Sequence, residues 1–95
     1  MSIPTTVATA VKTVSFGLLS TIDACGQQGA SDETMTLALA PYGTTDRHLQ
    51  FLVETMRLGG LIASDERACF HLTEQGRKVK VRLSRELTNG KRAVH

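Results

Sequence analysis

No stretch of this chain approaches the roughly 18 consecutive apolar residues that a membrane-spanning helix needs, and no membrane partner is expected. Cysteine is scarce. Cys25 and Cys69 stand far apart with no Cys-x-x-Cys, which excludes a disulfide framework and leaves two reduced, packed thiols as the expectation. Internal repeats and low-complexity tracts are missing. The apolar start is broken by threonines and serines, and no basic residue precedes it. No export signal is therefore expected, and the chain is expected to stay in the cytoplasm. Catalytic signatures are missing as well: there is no glycine-rich phosphate loop, no Gly-x-Ser-x-Gly and no His-Glu-x-x-His. His48, His71 and His95 are isolated from one another, with no Cys, Asp or Glu at a metal-ligand spacing. The chain is therefore expected to be no enzyme and to hold neither metal nor cofactor. His71, beside Phe70, reads as structural.

What is present is the makeup of one globular domain. Ninety-five residues are too few for two. Residues 1–90 are expected to form that domain, with 91–95 as a loose basic tail after Asn89-Gly90. The net charge of +2 hides an asymmetry. Residues 1–76 carry four Lys and Arg against eight Asp and Glu, a net of −4, whereas 77–95 carry seven against one, a net of +6. A basic C-terminal segment on a mildly acidic body suits a polyanion partner. A plain solvated helix with a basic tail is the alternative.

The apolar pattern is mainly helical. Val7, Val11, Val14, Leu18, Ile22 and Cys25 recur at steps of three and four, which predicts a helix over Thr6–Cys25. Pro4 stands before it and Gly26 after it, and Gly17 is its weak point. Ser31 or Asp32 caps a short second helix carrying Met35, Leu37, Ala38 and Leu39, which Pro41-Tyr42-Gly43 breaks. Thr44 or Thr45 caps a third, with Asp46 in its first turn. Its core face is Leu49, Leu52, Val53 and Met56, and Gly59-Gly60 ends it. Residues 61–63 and 68–72 are short apolar runs around the polar turn Ser64–Arg67, which predicts a hairpin. Thr73 caps a last helix. There Lys78–Leu83 alternates like a strand, but Val79, Leu83 and Leu87 at four-residue steps favour the helix.

This order meets specific residues. The segment TTDRHLQFLVETMRLGGLI (44–62), a short turn, and then CFHLTEQGRKV (69–79) resemble winged helix-turn-helix regulators. The likeness is greatest to the multiple-antibiotic-resistance regulator group and related small archaeal and bacterial regulators. Met56, Gly60, Leu61 and Ile62 match the end of the family's recognition helix, and Leu72, Thr73, Gly76 and Arg77 match its Leu-Thr-x-x-Gly-Arg. The resemblance spans roughly residues 14–84 and implies a mainly α fold with a small β-hairpin: a three-helix core, a two-stranded wing and a C-terminal helix. Winged helices also serve as protein-docking modules and dimerisation domains.

The resemblance makes helix 46–58 the one that enters the major groove of double-stranded DNA. Arg47, Phe51 and Glu54 lie opposite its core stripe, flanked by Thr44, His48, Gln50 and Thr55. Arg47 suits guanine and Gln50 adenine; Thr44 and Thr45 suit a phosphate at the helix start. Phe51 can touch a thymine methyl group or anchor a protein partner. Arg67, at the wing, can meet a phosphate or pair with the neighbouring acids. Arg77, Lys78, Lys80, Arg82 and Arg85 surround the last helix rather than forming one stripe, and are expected on phosphates. Phe16, Val81 and Leu87 are candidates for a homodimer interface, with Phe16 and Val81 packing on each other within one chain as the alternative. Two copies would read half-sites about one helical turn apart. The leading expectation is thus a DNA-binding transcriptional regulator. The alternative is a winged-helix protein-interaction module docking through Phe51 or Phe16, an accessory factor or inhibitor of a nucleoprotein complex. An isolated dimerisation module is a third reading that no motif supports.

Overall fold

A computed structural model describes the backbone of residues 3–93 and the side chains of residues 9–88. The described chain is four helices with one small antiparallel sheet, in the order α1 (Ile3–Ala24), α2 (Asp32–Leu39), α3 (Asp46–Leu58), β1 (Ile62–Ser64), β2 (Phe70–Leu72) and α4 (Glu74–Ala93). Three of the helices begin where a hydroxyl satisfies a free amide of the first turn. Ser31 Oγ accepts from the Thr34 N–H at 3.2 Å, Thr45 Oγ1 from His48 at 3.1 Å and Thr73 Oγ1 from Gly76 at 3.0 Å. Asp32 and Glu33 occupy the first turn of α2 and Asp46 that of α3, where the helix dipole favours a negative charge.

The core is built of apolar residues, and no polar or charged residue among those described is buried as a whole. Leu18, Leu19 and Ile22 of α1 meet Met35 and Leu39 of α2, Leu49, Val53 and Met56 of α3, Ile62, Leu72 and Leu83. α1 buries a wider arc than its period-3.6 stripe predicts, because it packs on α2, β2 and α4 at once. Leu19 is fully buried for that reason, while Val11, on the expected stripe, is 54% exposed. Val7 is outside the described side chains. Gly17 lies where the Tyr42 ring rests on α1: a Cβ there would sit 3.3 Å from Tyr42 Oη and 3.5 Å from Leu39 Cδ2.

The hairpin pairs Ile62 with Leu72, Ala63 with His71 and Ser64 with Phe70. Ala30 adds a one-residue bridge on the far side of β2, exchanging two 2.8 Å backbone hydrogen bonds with Phe70. The loop before α2 is thereby stitched to the sheet. α4 lies antiparallel on α1, as its ion pairs show: Lys80 joins Asp23 at 2.8 Å, and Glu86 joins Lys12 at 3.7 Å near the other end. The strand-like alternation of Lys78–Leu83 loses to the helix because Val79 and Leu83 both face the core. α4 also runs past Asn89-Gly90, the expected start of a loose tail, to Ala93. Residues 94 and 95 lie outside the described residues.

The Leu-Thr-x-x-Gly segment has a specific mechanical part in this fold. Leu72 is buried. The Thr73 N–H donates to Leu61 O at 3.0 Å, and the Thr73 hydroxyl lies 2.6 Å from Gly60 O and 3.0 Å from Leu61 O. Gly76 has no side chain because none fits: a Cβ would lie 2.0 Å from the Leu61 carbonyl oxygen. The start of α4 is thus clamped onto the turn that ends α3.

Candidate nucleic-acid interface

The amphipathic phase of α3 sets which residues it presents. With Leu49, Val53 and Met56 inward, Arg47, Phe51 and Leu58 form the crest at 100° per residue. Phe51 is 66% exposed and Leu58 73%. Arg47, His48 and Gln50 are exposed and make no side-chain hydrogen bond or ion pair among the described residues. Thr45 is spent as the cap, with its hydroxyl directed at the His48 amide, and Thr44 is half-buried. Glu54 is tied to Arg57 one turn on. The Arg57 guanidinium beside it holds the Glu54 carboxyl below its usual range.

The hairpin tip is organised around Asp65, which the sequence shows only as one of two acids beside Arg67. Its Oδ1 accepts from the backbone amides of Arg67 (2.8 Å) and Cys69 (3.0 Å). Its Oδ2 meets His71 Nε2 at 2.7 Å and Arg67 Nη2 at 3.2 Å. The hydrogen bond with His71, then those from the Cys69 and Arg67 amides, hold the Asp65 carboxyl far below the ordinary carboxylate range. Arg67 also donates to Gln28 O at 3.1 Å, across to the loop after α1. Its guanidinium thus makes two contacts within the chain while remaining 63% exposed.

Along α4 the cations form one stripe. Arg77, Lys78, Arg82 and Arg85 are all exposed and surround Val81 on a single shallow face, with Glu74 at its end. That face spans about 140° of the helix and lies opposite Val79 and Leu83. The expectation that the cations surround the helix is corrected by the phase, which sets only Lys80 apart. Lys80 turns to α1, where its hydrogen bond lowers the Asp23 carboxyl below its ordinary value. Lys78 reaches Glu74 loosely, at 3.9 Å.

The three residues expected to join two copies are divided. Phe16 is half-buried and packed on the core, and Leu87 is half-buried. Val81 is 49% exposed and shares with Phe16 the lining of a depression along the α1–α4 seam.

Two further surface features were not read from the sequence. An apolar depression between α1, α3 and α4 is lined by Val11, Phe51, Leu52, Val79 and Leu83. A groove of about 680 Å³ between α2 and α3 has Leu37, Leu49 and Val53 along it, with Asp32, Glu33, Asp46 and Glu54 around it. Neither follows from a single helix's period, since both need the packing of two or three helices. Among the described residues no group of three His, Cys, Asp or Glu side chains could hold a metal ion. Cys25 and Cys69 are free thiols, both half-buried. No described helix is long and apolar enough to cross a membrane. No family model, no curated protein and no solved structure matches this chain.

Proposed function

We propose that this chain is a winged-helix DNA-binding regulator that sets α3 in the major groove of a duplex. The observation that carries the reading is the open face of α3: Arg47, His48 and Gln50, unpaired among the described residues, follow directly on the capped N-terminus of the helix. Those side chains have the donors and acceptors that base edges require. The helix order, the hairpin before α4 and the Ala30 bridge support the winged-helix assignment. The α4 stripe of Arg77, Lys78, Arg82 and Arg85 supplies the positive surface that phosphate binding needs. Arg67 and Lys80 each meet an acid of the same chain, Asp65 and Asp23, and the reading does not depend on either.

The test is binding of a random duplex at low ionic strength by fluorescence anisotropy. Wild-type chain binds, and binding weakens steeply with salt. Absence of binding refutes the reading.

A second reading is favoured by one observation, the exposure of Phe51 and Leu58 on the α3 crest. Exposed Phe and Leu on one helix face suit a protein partner as well as a groove. Loss of a protein partner in Phe51→Ala, with no duplex binding by the wild type, would establish it.

A further inference from the structure

The groove between α2 and α3 and the outer face of α4 have complementary surfaces. The groove carries an exposed Leu37, 68% open to solvent, between the acids of two helices. Asp32 and Glu33 stand on the α2 wall, Asp46 and Glu54 on the α3 wall. The α4 face is largely the inverse: Val81, 49% exposed, among four cations, with one acid, Glu74, at its end beside Lys78. The lengths match too. Asp46 to Glu54 and Arg77 to Arg85 are each eight helical steps, about 12 Å at 1.5 Å per residue. Helix dipoles account for Asp32, Glu33 and Asp46 singly. They do not account for a leucine left open to water between them, or for an equal number of cations ranged round an open valine elsewhere on the chain.

Within one molecule the two surfaces cannot meet, because α4 is fixed on α1 and β2 by its opposite side. We infer that the α2–α3 groove receives the Arg77–Arg85 face of α4 from a second copy of this chain. Val81 would cover Leu37, and the cations would face the rim acids; Glu54 would share its carboxylate with Arg57. The contact joins two different surfaces, so association is head to tail, and it extends or closes into a ring depending on the rotation between copies. The inference is argued from these two surfaces and not from the DNA reading, and because the α4 face is the one that reading sets on phosphates, self-association and duplex binding would compete for it.

Sedimentation of the whole chain at low ionic strength tests it. The expected result is a mass that rises with protein concentration, with association falling about ten-fold or more at high salt as the charge pairs are screened. A groove variant, Leu37→Lys with Glu54→Lys, and a face variant, Arg82→Glu with Arg85→Glu, each weaken self-association about 100-fold by juxtaposing like charges. All four positions are exposed, so the helical circular dichroism should be that of the wild type. Mixing the two variants restores association, because each keeps the surface the other has lost. The proposal fails if the wild type stays at 10.3 kDa at every concentration, if only one variant dissociates, or if the mixture remains monomeric. A wild-type monomer that still binds duplex would overturn this inference and leave the DNA reading standing.

Discussion

Replacing Gly76 by alanine should damage this fold, although alanine is the better helix former. The substitution lies in the first turn of α4, where alanine ordinarily gains about 1 kcal/mol over glycine. Here the added methyl would start 2.0 Å from the Leu61 carbonyl oxygen and 3.0 Å from its carbon. A relaxed carbon–oxygen contact needs about 3.3 Å or more, so α4 or the Gly60–Leu61 turn must retreat by over an ångström. Neither is a flexible side-chain end. The same carbonyl accepts the Thr73 amide at 3.0 Å, so retreat also strains the clamp that starts the helix. Overpacking costs about 1–3 kcal/mol and occasionally more, and a weakened hydrogen bond adds about 1 kcal/mol. Set against the propensity gain, the net loss is about 2 kcal/mol, or roughly 8–16 °C in Tm for a domain of this size. Thermal and urea unfolding followed by circular dichroism measures it. Gly59→Ala is the control, since that backbone is right-handed and nothing comes nearer than 3.3 Å; it should be neutral or stabilising by up to about 1 kcal/mol. A Gly76→Ala chain as stable as its parent would refute the close approach of α4 to Leu61.

Three other outcomes follow from particular contacts. Ser20 Oγ is buried with no hydrogen-bond partner, so Ser20→Ala should stabilise the chain by about 1 kcal/mol, read as a higher urea midpoint. The Asp65 carboxyl titrates below its ordinary 3.8 in the folded chain; its contribution is therefore full above that value and lost as pH falls through the folded value. Asp65→Asn should lower the urea midpoint at neutral pH and flatten its decline in acid, and an unchanged acid limb would show the hairpin-tip contacts to be idle. On the DNA reading, Arg47→Ala should lower discrimination between operator and random duplex by about 1–3 kcal/mol. Lys78→Ala with Arg82→Ala should instead weaken all sequences alike and reduce the salt slope by about 2, whereas Lys80→Ala, already paired with Asp23, should leave the slope unchanged.

The parts of the fold legible in the sequence are those governed by near neighbours. Ser31, Thr45 and Thr73 cap as hydroxyl residues before apolar periods should, and the α3 stripe of Leu49, Val53 and Met56 is buried as its spacing requires. What escaped depends on distant partners. Ala30 bridges Phe70 as a single residue, and one residue has no period to read. Leu19 is buried because α2, β2 and α4 all pack around α1. Arg67 has its acid two residues away, but its second acceptor, Gln28 O, is 39 residues back. On α4 the helical phase alone separates Lys80 from Arg77, Lys78, Arg82 and Arg85, a distinction that net charge does not carry.

The separation of charge between α4 and the α2–α3 pair also governs how the molecule arrives anywhere. A body with cations along one ridge and carboxylates along a distant cleft behaves as a dipole, and a dipole turns in an external field before it touches the source. An anionic partner would tend to meet α4 leading, and a cationic one the acid-lined groove between α2 and α3. Encounter rates with either should be more sensitive to ionic strength than a net charge of +2 suggests.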